Sequence, residues 1–132
     1  MLRLFFAGAI TLFVSEATLA EVREVLNRPR IRRKFPKLTD RLVNALLQKI
    51  ERQAVLIKNV PEEYYLERDP KDECYINLAL VTNASYLVSK DNDLLDLMTT
   101  SSPVALEFRR RYPFLRILKA EEFVREIERE KA

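Results

Sequence analysis

The sequence predicts an α/β domain with a mainly parallel sheet. Short apolar runs rich in β-branched and aromatic residues alternate with longer amphipathic segments, and neither an internal repeat nor a low-complexity linker interrupts them. Size agrees: 132 residues with 48% apolar content are enough for one sizeable core and too few for two ordinary domains, so residues 1–132 are expected to form a single domain.

Taken in order, Ile10 to Val14 reads as a short buried strand, followed by Ser15 as the N-cap of a helix with Glu16 and Glu21 early in it. That helix should run to Asn27 and stop at Pro29. A second helix is expected from about Thr39 to Arg52, with Leu42, Leu46, Leu47 and Ile50 on one face, and a strand from Ala54 to Lys58. Pro61 to Arg68 is a loop; Asp69, Pro70 and Asp72 then open a helix carrying Ile76, Ala79 and Leu80 at core spacing. Tyr86 to Ser89 is a strand, Asp91 to Met98 a short helix, Phe114 to Leu118 a strand and Ala120 to Glu130 a terminal helix. The stretch from Thr99 to Arg111 has two solutions: a helix opened by Pro103 that carries Leu106 and Phe108, or a long basic loop.

Composition excludes several kinds of chemistry. Gly8 is the only glycine, which removes the glycine-rich loops that cradle dinucleotides and nucleoside triphosphates. There is no histidine, so an imidazole base, a Ser-His-Asp triad and the commonest metal ligand are all absent. Cys74, the only cysteine, cannot form an internal disulfide and fits a reducing cytoplasm. The opening from Met1 to Ala20 has some features of a secretory signal, but Gly8, Thr11 and Glu16 interrupt the pattern. No run approaches the ~20 apolar residues needed to span a bilayer.

Net charge is only +3, and its distribution says more than its total. Arg28, Arg30, Arg32, Arg33, Lys34 and Lys37 form one basic cluster and Arg109, Arg110 and Arg111 another; both are candidate phosphate contacts, or else solvated surface. Acids gather where a parallel sheet presents its strand ends: Asp91 and Asp93 follow the strand ending at Ser89, and Asp69, Asp72 and Glu73 lie at a helix start. At about 100° per residue, Leu19, Val22 and Leu26 share a helix face, with Glu21 beside it and Glu24 nearly opposite. Carboxylates converging in this way suit a hard divalent cation such as Mg²⁺, which could assist phosphodiester hydrolysis.

Three blocks carry a resemblance to a known family. They are Leu12-Phe-Val-Ser15 with Thr18-Leu-Ala-Glu21-Val and the basic run to Phe35; Arg68-Asp-Pro-Lys-Asp72 with Leu78-Ala-Leu80; and Ala84-Ser-Tyr-Leu-Val-Ser-Lys-Asp91-Asn-Asp93-Leu-Leu95. Their order and spacing resemble the PIN-domain family related to VapC-type toxin ribonucleases. The resemblance implies a three-layer α/β/α fold and an Mg²⁺- or Mn²⁺-dependent endoribonuclease, the toxin of a toxin-antitoxin pair. Glu21, Asp72 and Asp91 correspond to metal ligands, with Asp93 as a supporting catalytic acid and Asp69 as an auxiliary. Arg30, Arg32 and Arg33 are the expected RNA contacts, and an antitoxin protein is the implied partner.

The family's opening strand, which carries its first catalytic aspartate, has no counterpart before the segment resembling Met1 to Gly8. Two expectations follow. One is a catalytically inactive remnant that binds RNA or protein; the other is a homodimer, because the strands at Ile10 to Val14 and Tyr86 to Ser89 would flank a missing strand and the apolar opening Met1 to Phe6 would need cover.

Overall fold

A computed structural model describes residues 7–131; the expected role of Met1 to Phe6 in covering an interface lies outside the described residues. The chain divides into two compact units, one ending at Val60 and the other starting at Pro61.

In the first unit, strand β1 (Phe13–Val14) leads directly into helix α1 (Glu16–Leu26). The turn between them is a reciprocal capping box: the Ser15 Oγ accepts from the Thr18 amide at 3.1 Å, and the Thr18 Oγ1 accepts from the Ser15 amide at 2.8 Å. Both side chains are buried, so these bonds satisfy amides that water does not reach. The expected end of α1 is correct, with Asn27 as its C-cap. Pro29 does more than stop that helix. Its fixed φ and missing N–H suit a first helical turn, and it opens an additional short helix, α2 (Pro29–Lys34).

Helix α3 (Asp40–Gln53) begins at Thr39, whose Oγ1 accepts from the Leu42 amide at 3.2 Å. Its buried stripe is Val43, Leu47 and Ile50, with Leu46 at the margin. Leu42, expected on that face, is 49% exposed. Strand β2 (Val55–Leu56) pairs in parallel with β1, placing Phe13 beside Val55 and Val14 beside Leu56. Both strands are shorter than expected. Val14 and Ile50 form the centre of this unit's core, surrounded by Ile10, Leu12, Leu19, Leu46 and Ala54.

The second unit opens with a segment that has no regular structure until a 3₁₀ turn at Pro70–Asp72, which runs into helix α4 (Glu73–Val81). That segment is nonetheless fastened. The buried Asn77 of α4 accepts from the Glu63 and Tyr64 amides at 3.0 and 2.7 Å, and the Glu73 Oε1 accepts from the Leu66 amide at 2.9 Å. Strand β3 (Tyr86–Val88) follows, then helix α5 (Asn92–Thr99), helix α6 (Pro103–Arg111), strand β4 (Arg116–Leu118) and helix α7 (Ala120–Lys131). Of the two solutions for the stretch after Thr99, the helix is correct: Pro103 occupies its first turn and the Ser102 Oγ caps the Ala105 amide at 3.2 Å.

Strands β3 and β4 pair in parallel, with Leu87 opposite Ile117. Arg116 forms an ion pair with Glu126 that ties β4 to α7. Phe108, fully buried, packs edge-on against Tyr64 with ring centroids 5.1 Å apart and in a tilted contact against Tyr112 at 5.2 Å. The Tyr112 hydroxyl is buried without a hydrogen-bond partner. Burial raises its pKa, against the opposing charge of Arg111, so it stays a neutral phenol.

Among the described residues the strands form two separate parallel pairs, β1–β2 and β3–β4, and β1 is not paired with β3. The chain is α/β with parallel pairing throughout, as the alternation of its segments predicts. No helix among the described residues is long and apolar enough to cross a membrane.

Helix α6 offers a direct check of the core. Phe108 is wholly inside whereas Leu106, two positions earlier, is 51% exposed. Urea unfolding should show that Phe108→Ala costs about 3–5 kcal/mol, while Leu106→Ala stays within about 0.5 kcal/mol of the parent.

Candidate metal centre

Asp69, Asp72 and Asp91 come together at the start of α4, each offering a carboxylate oxygen within 4.8 Å of the other two. Local hydrogen bonding fixes each one. Asp69 precedes the 3₁₀ turn, and its Oδ1 accepts from the Lys71 amide at 3.1 Å. The Asp72 amide donates to the Asp69 carbonyl at 3.1 Å, which folds the two acids onto one turn. Asp91 caps α5, with its Oδ1 accepting from the Asp93 amide at 2.9 Å, and its own amide donates to the Ser89 Oγ at 3.0 Å. Pro70 accounts for the tight turn between Asp69 and Asp72, since its ring cannot supply an amide and fits the first helical position.

One oxygen in this group has no partner: the Asp72 Oδ2 is buried and accepts no hydrogen bond. Ionised carboxylates are acceptors only, so neither Asp69 nor Asp91 can satisfy it. A proton shared with Asp91, or a cation, can. Burial, followed by the hydrogen bond and charge of Asp91 and then the charge of Asp69, pushes the Asp72 carboxyl up to about 7. The donor set is entirely oxygen, which matches the hard cations Mg²⁺ and Mn²⁺ and gives no soft ligand for zinc or copper.

Asp93, expected to support catalysis, is outside this trio and forms an ion pair with Arg68 at 2.8 Å. The same guanidinium reaches Asp96 at 3.0 Å. Arg68 opens a block of the resemblance without a role of its own, and Asp96 has none in the sequence; the available signal is an arginine immediately before Asp69 and an acid one turn beyond Asp93. Asn77 was missed as well, although a lone amide among Ile76, Leu78, Ala79 and Leu80 is the pattern of a buried polar bracket.

Glu21 belongs to the first unit, where its carboxylate is 3.9 Å from Arg28 and its side chain is 21% exposed, a boundary position as the helical projection predicts. Glu24 is solvated and pairs with the same arginine at 3.3 Å. In the basic cluster, Arg32 donates to the Leu26 carbonyl and to the Asn27 Oδ1, both at 2.7 Å, and pairs with Asp40 at 2.8 Å. Arg30 and Arg33 are exposed and have no ionic or hydrogen-bond partner among the described residues. The second basic cluster is engaged internally. Arg109 donates to the Leu97 and Thr100 carbonyls at 2.8 Å, Arg110 pairs with Glu107, and Arg111 stacks 5.0 Å from the Tyr112 ring centre.

The raised Asp72 pKa makes stability depend on pH in a defined direction. Between the ordinary value of 3.8 and about 7, the folded chain holds a proton that the unfolded chain has released. The stability contributed by the protonated group is therefore complete below the ordinary value and lost as pH rises through about 7. In chelator, Asp72→Asn should be more stable than the parent near pH 8, by on the order of 1 kcal/mol once solvent screening is included. Near about pH 5 the difference should shrink, and Mn²⁺ should abolish the parent's deficit. Parallel urea stabilities for the two proteins at both pH values would remove Asp72 as the titrating group.

No curated protein and no solved structure matches the chain. The family model for the PIN domain matches residues 1–93, a stretch that includes the capping box at Ser15, the basic run, the Asp69–Asp72 turn and Asp91. That match covers more than half of the sequence, and the chain belongs to the PIN-domain family.

Proposed function

We propose that this PIN domain is a metal-dependent endoribonuclease that holds Mg²⁺ or Mn²⁺ on Asp69, Asp72 and Asp91. PIN domains are in general nuclease-like and use divalent metal, and the orphaned, buried Asp72 oxygen facing two further carboxylates is the observation that carries the assignment here. A hard cation, when bound, supplies Lewis acidity toward water and a phosphodiester oxygen. The chain's own contribution is to hold three carboxylates close enough to chelate and to keep Asp93 turned toward Arg68. Loss of the Asp72 proton accompanies occupation, so affinity rises with pH through about 7. Glu21, carried by the first unit, enters this assignment only through the family resemblance; Glu21→Gln tests its part separately.

For RNA, the expected set of Arg30, Arg32 and Arg33 is narrowed by what Arg32 already does within the chain. Arg30 and Arg33, with Lys34 beside them, present unpaired charge, and Phe35, 52% exposed, lies 5.7 Å from the Lys34 Nζ. Unpaired cations beside an exposed aromatic ring suit single-stranded nucleic acid, which offers phosphates and unstacked bases together. A toxin-antitoxin setting belongs to the proposal through the resemblance alone. The expected homodimer is supported by β1 and β3 each pairing with one described strand, and light scattering that shows a monomer would remove it.

Two measurements test the assignment. Calorimetry should show Mn²⁺ binding that Asp72→Asn and Asp91→Asn each abolish, together with Mn²⁺-dependent cleavage of a single-stranded RNA; RNA binding without cleavage would indicate a binding module instead. Replacing Arg30, Arg33 and Lys34 by Gln should weaken RNA binding and flatten its salt dependence by up to about three phosphate contacts. Arg32→Gln should act mainly on stability, and an RNA affinity unaffected by the triple replacement would return α2 to plain surface.

A further inference from the structure

The acids of the candidate centre come from two segments far apart in sequence. Asp69 and Asp72 lie on the 3₁₀ turn before α4, and Asp91 caps α5. Like charges at such spacing repel, so a contact outside the trio helps to hold the segments together. One side chain joins them through its charge. Arg68, immediately before Asp69, sends Nη2 to the Asp93 Oδ1 at 2.8 Å and Nη1 to the Asp96 Oδ2 at 3.0 Å. Asp93 and Asp96 are one turn apart on α5, the helix that Asp91 caps. The guanidinium therefore links the segment carrying two acids to the helix carrying the third.

We propose that Arg68 is the positioning residue of the metal centre: by bridging Asp93 and Asp96 it sets the separation between the Asp69–Asp72 turn and Asp91, and it keeps Asp93 off the cation. This rests on the metal assignment made above. Arginine is suited to the task because its planar fork serves two carboxylates at once, which the point charge of lysine does not. Glu73 and Asn77 fasten the chain before Arg68 onto α4, but neither reaches α5. Among the ion pairs of the described residues, those of Arg68 with Asp93 and Asp96 make the link to α5.

A bystander arginine and a positioning arginine predict effects of opposite sign. A cation beside three acids opposes the binding of another cation, so removing a mere bystander should tighten Mn²⁺. Removing a residue that sets the ligand spacing should loosen it, by about 10-fold for a partner that supports the ligands from outside.

The experiment uses the full chain and Mn²⁺ alone as the probe, with Arg68→Gln, Arg68→Lys and Asp72→Asn measured by calorimetry beside the parent. The expected result is a roughly 10-fold weaker affinity for Arg68→Gln, partial recovery in Arg68→Lys and no binding in Asp72→Asn. Unchanged or tighter binding in Arg68→Gln, with Asp72→Asn still abolishing it, overturns the positioning role and leaves the metal site standing. Hydrogen exchange in chelator provides a readout that needs no metal: in Arg68→Gln, amides in 69–73 and in 92–96 should lose protection together. If the parent binds no Mn²⁺, the metal assignment fails, and exchange alone decides the bridge: coupled loss upholds it and unchanged protection overturns it.

Discussion

The second unit is organised around the crowding of three carboxylates at the start of α4. Such a group does not assemble unaided, since each acid is better solvated apart from the others. Bonds to the backbone hold two of the three in place. Asp69 and Asp91 each commit one oxygen to an amide of the turn or helix that follows, which fixes their rotamers and directs the remaining oxygen. Asp72 has no such outlet. Its second oxygen is turned into the protein among the other acids, and at low pH it keeps a proton there. The strain of the centre is thus concentrated on one group, whose relief is a proton or a cation.

That concentration requires a rigid base beneath it. Helix α4 supplies one through Ile76, Leu78, Ala79 and Leu80, all buried, and through Asn77, whose amide serves the segment before the centre in place of secondary structure. Tyr64, held in this way, reaches the ring cluster of Phe108 and Tyr112, which anchors the loop before the acids to the core. Without Asn77 the Glu63 and Tyr64 amides would lose their partner, and unpaired donors shielded from water are costly enough to reopen the loop. The buried polar bracket and the acidic turn are two parts of one arrangement. One removes freedom from the backbone so that the other can hold its charges close.

Much of this was legible in the sequence, for identifiable reasons. Local chemistry reads well: Ser15, Thr39, Asp91 and Ser102 cap helices where a short polar side chain precedes an amphipathic run, although Pro103 by itself leaves a helix and a basic loop both open. Position at strand and helix ends leaves Asp72 and Asp91 open to reading as helix caps, and the family resemblance alone marks them as ligands. Less is legible where the deciding partner is remote. Arg32 resembles its neighbours in the basic run until Asp40, eight residues on, takes its guanidinium. Leu42 differs from Val43 by one step around α3, and tertiary packing selects Val43. Asp93, a supporting acid by the resemblance, pairs with Arg68, a partner distant in sequence that its own neighbours do not announce.

The absence of histidine gives these remote contacts their weight. An imidazole titrates near neutrality without assistance, whereas a carboxylate does so only when burial and like charge lift it there. Asp72 reaches that range by burial first and then by the nearness of Asp91 and Asp69, and both depend on distances between segments that no local rule sets. A small outward movement of α5 would lower the Asp72 pKa, give its second oxygen access to water and loosen the chelating group in one step. The geometry of the centre is therefore set less by the three acids than by the spacing between the elements that carry them, and Arg68 and Asn77, with no place in the trio, contact those elements or the loop before them.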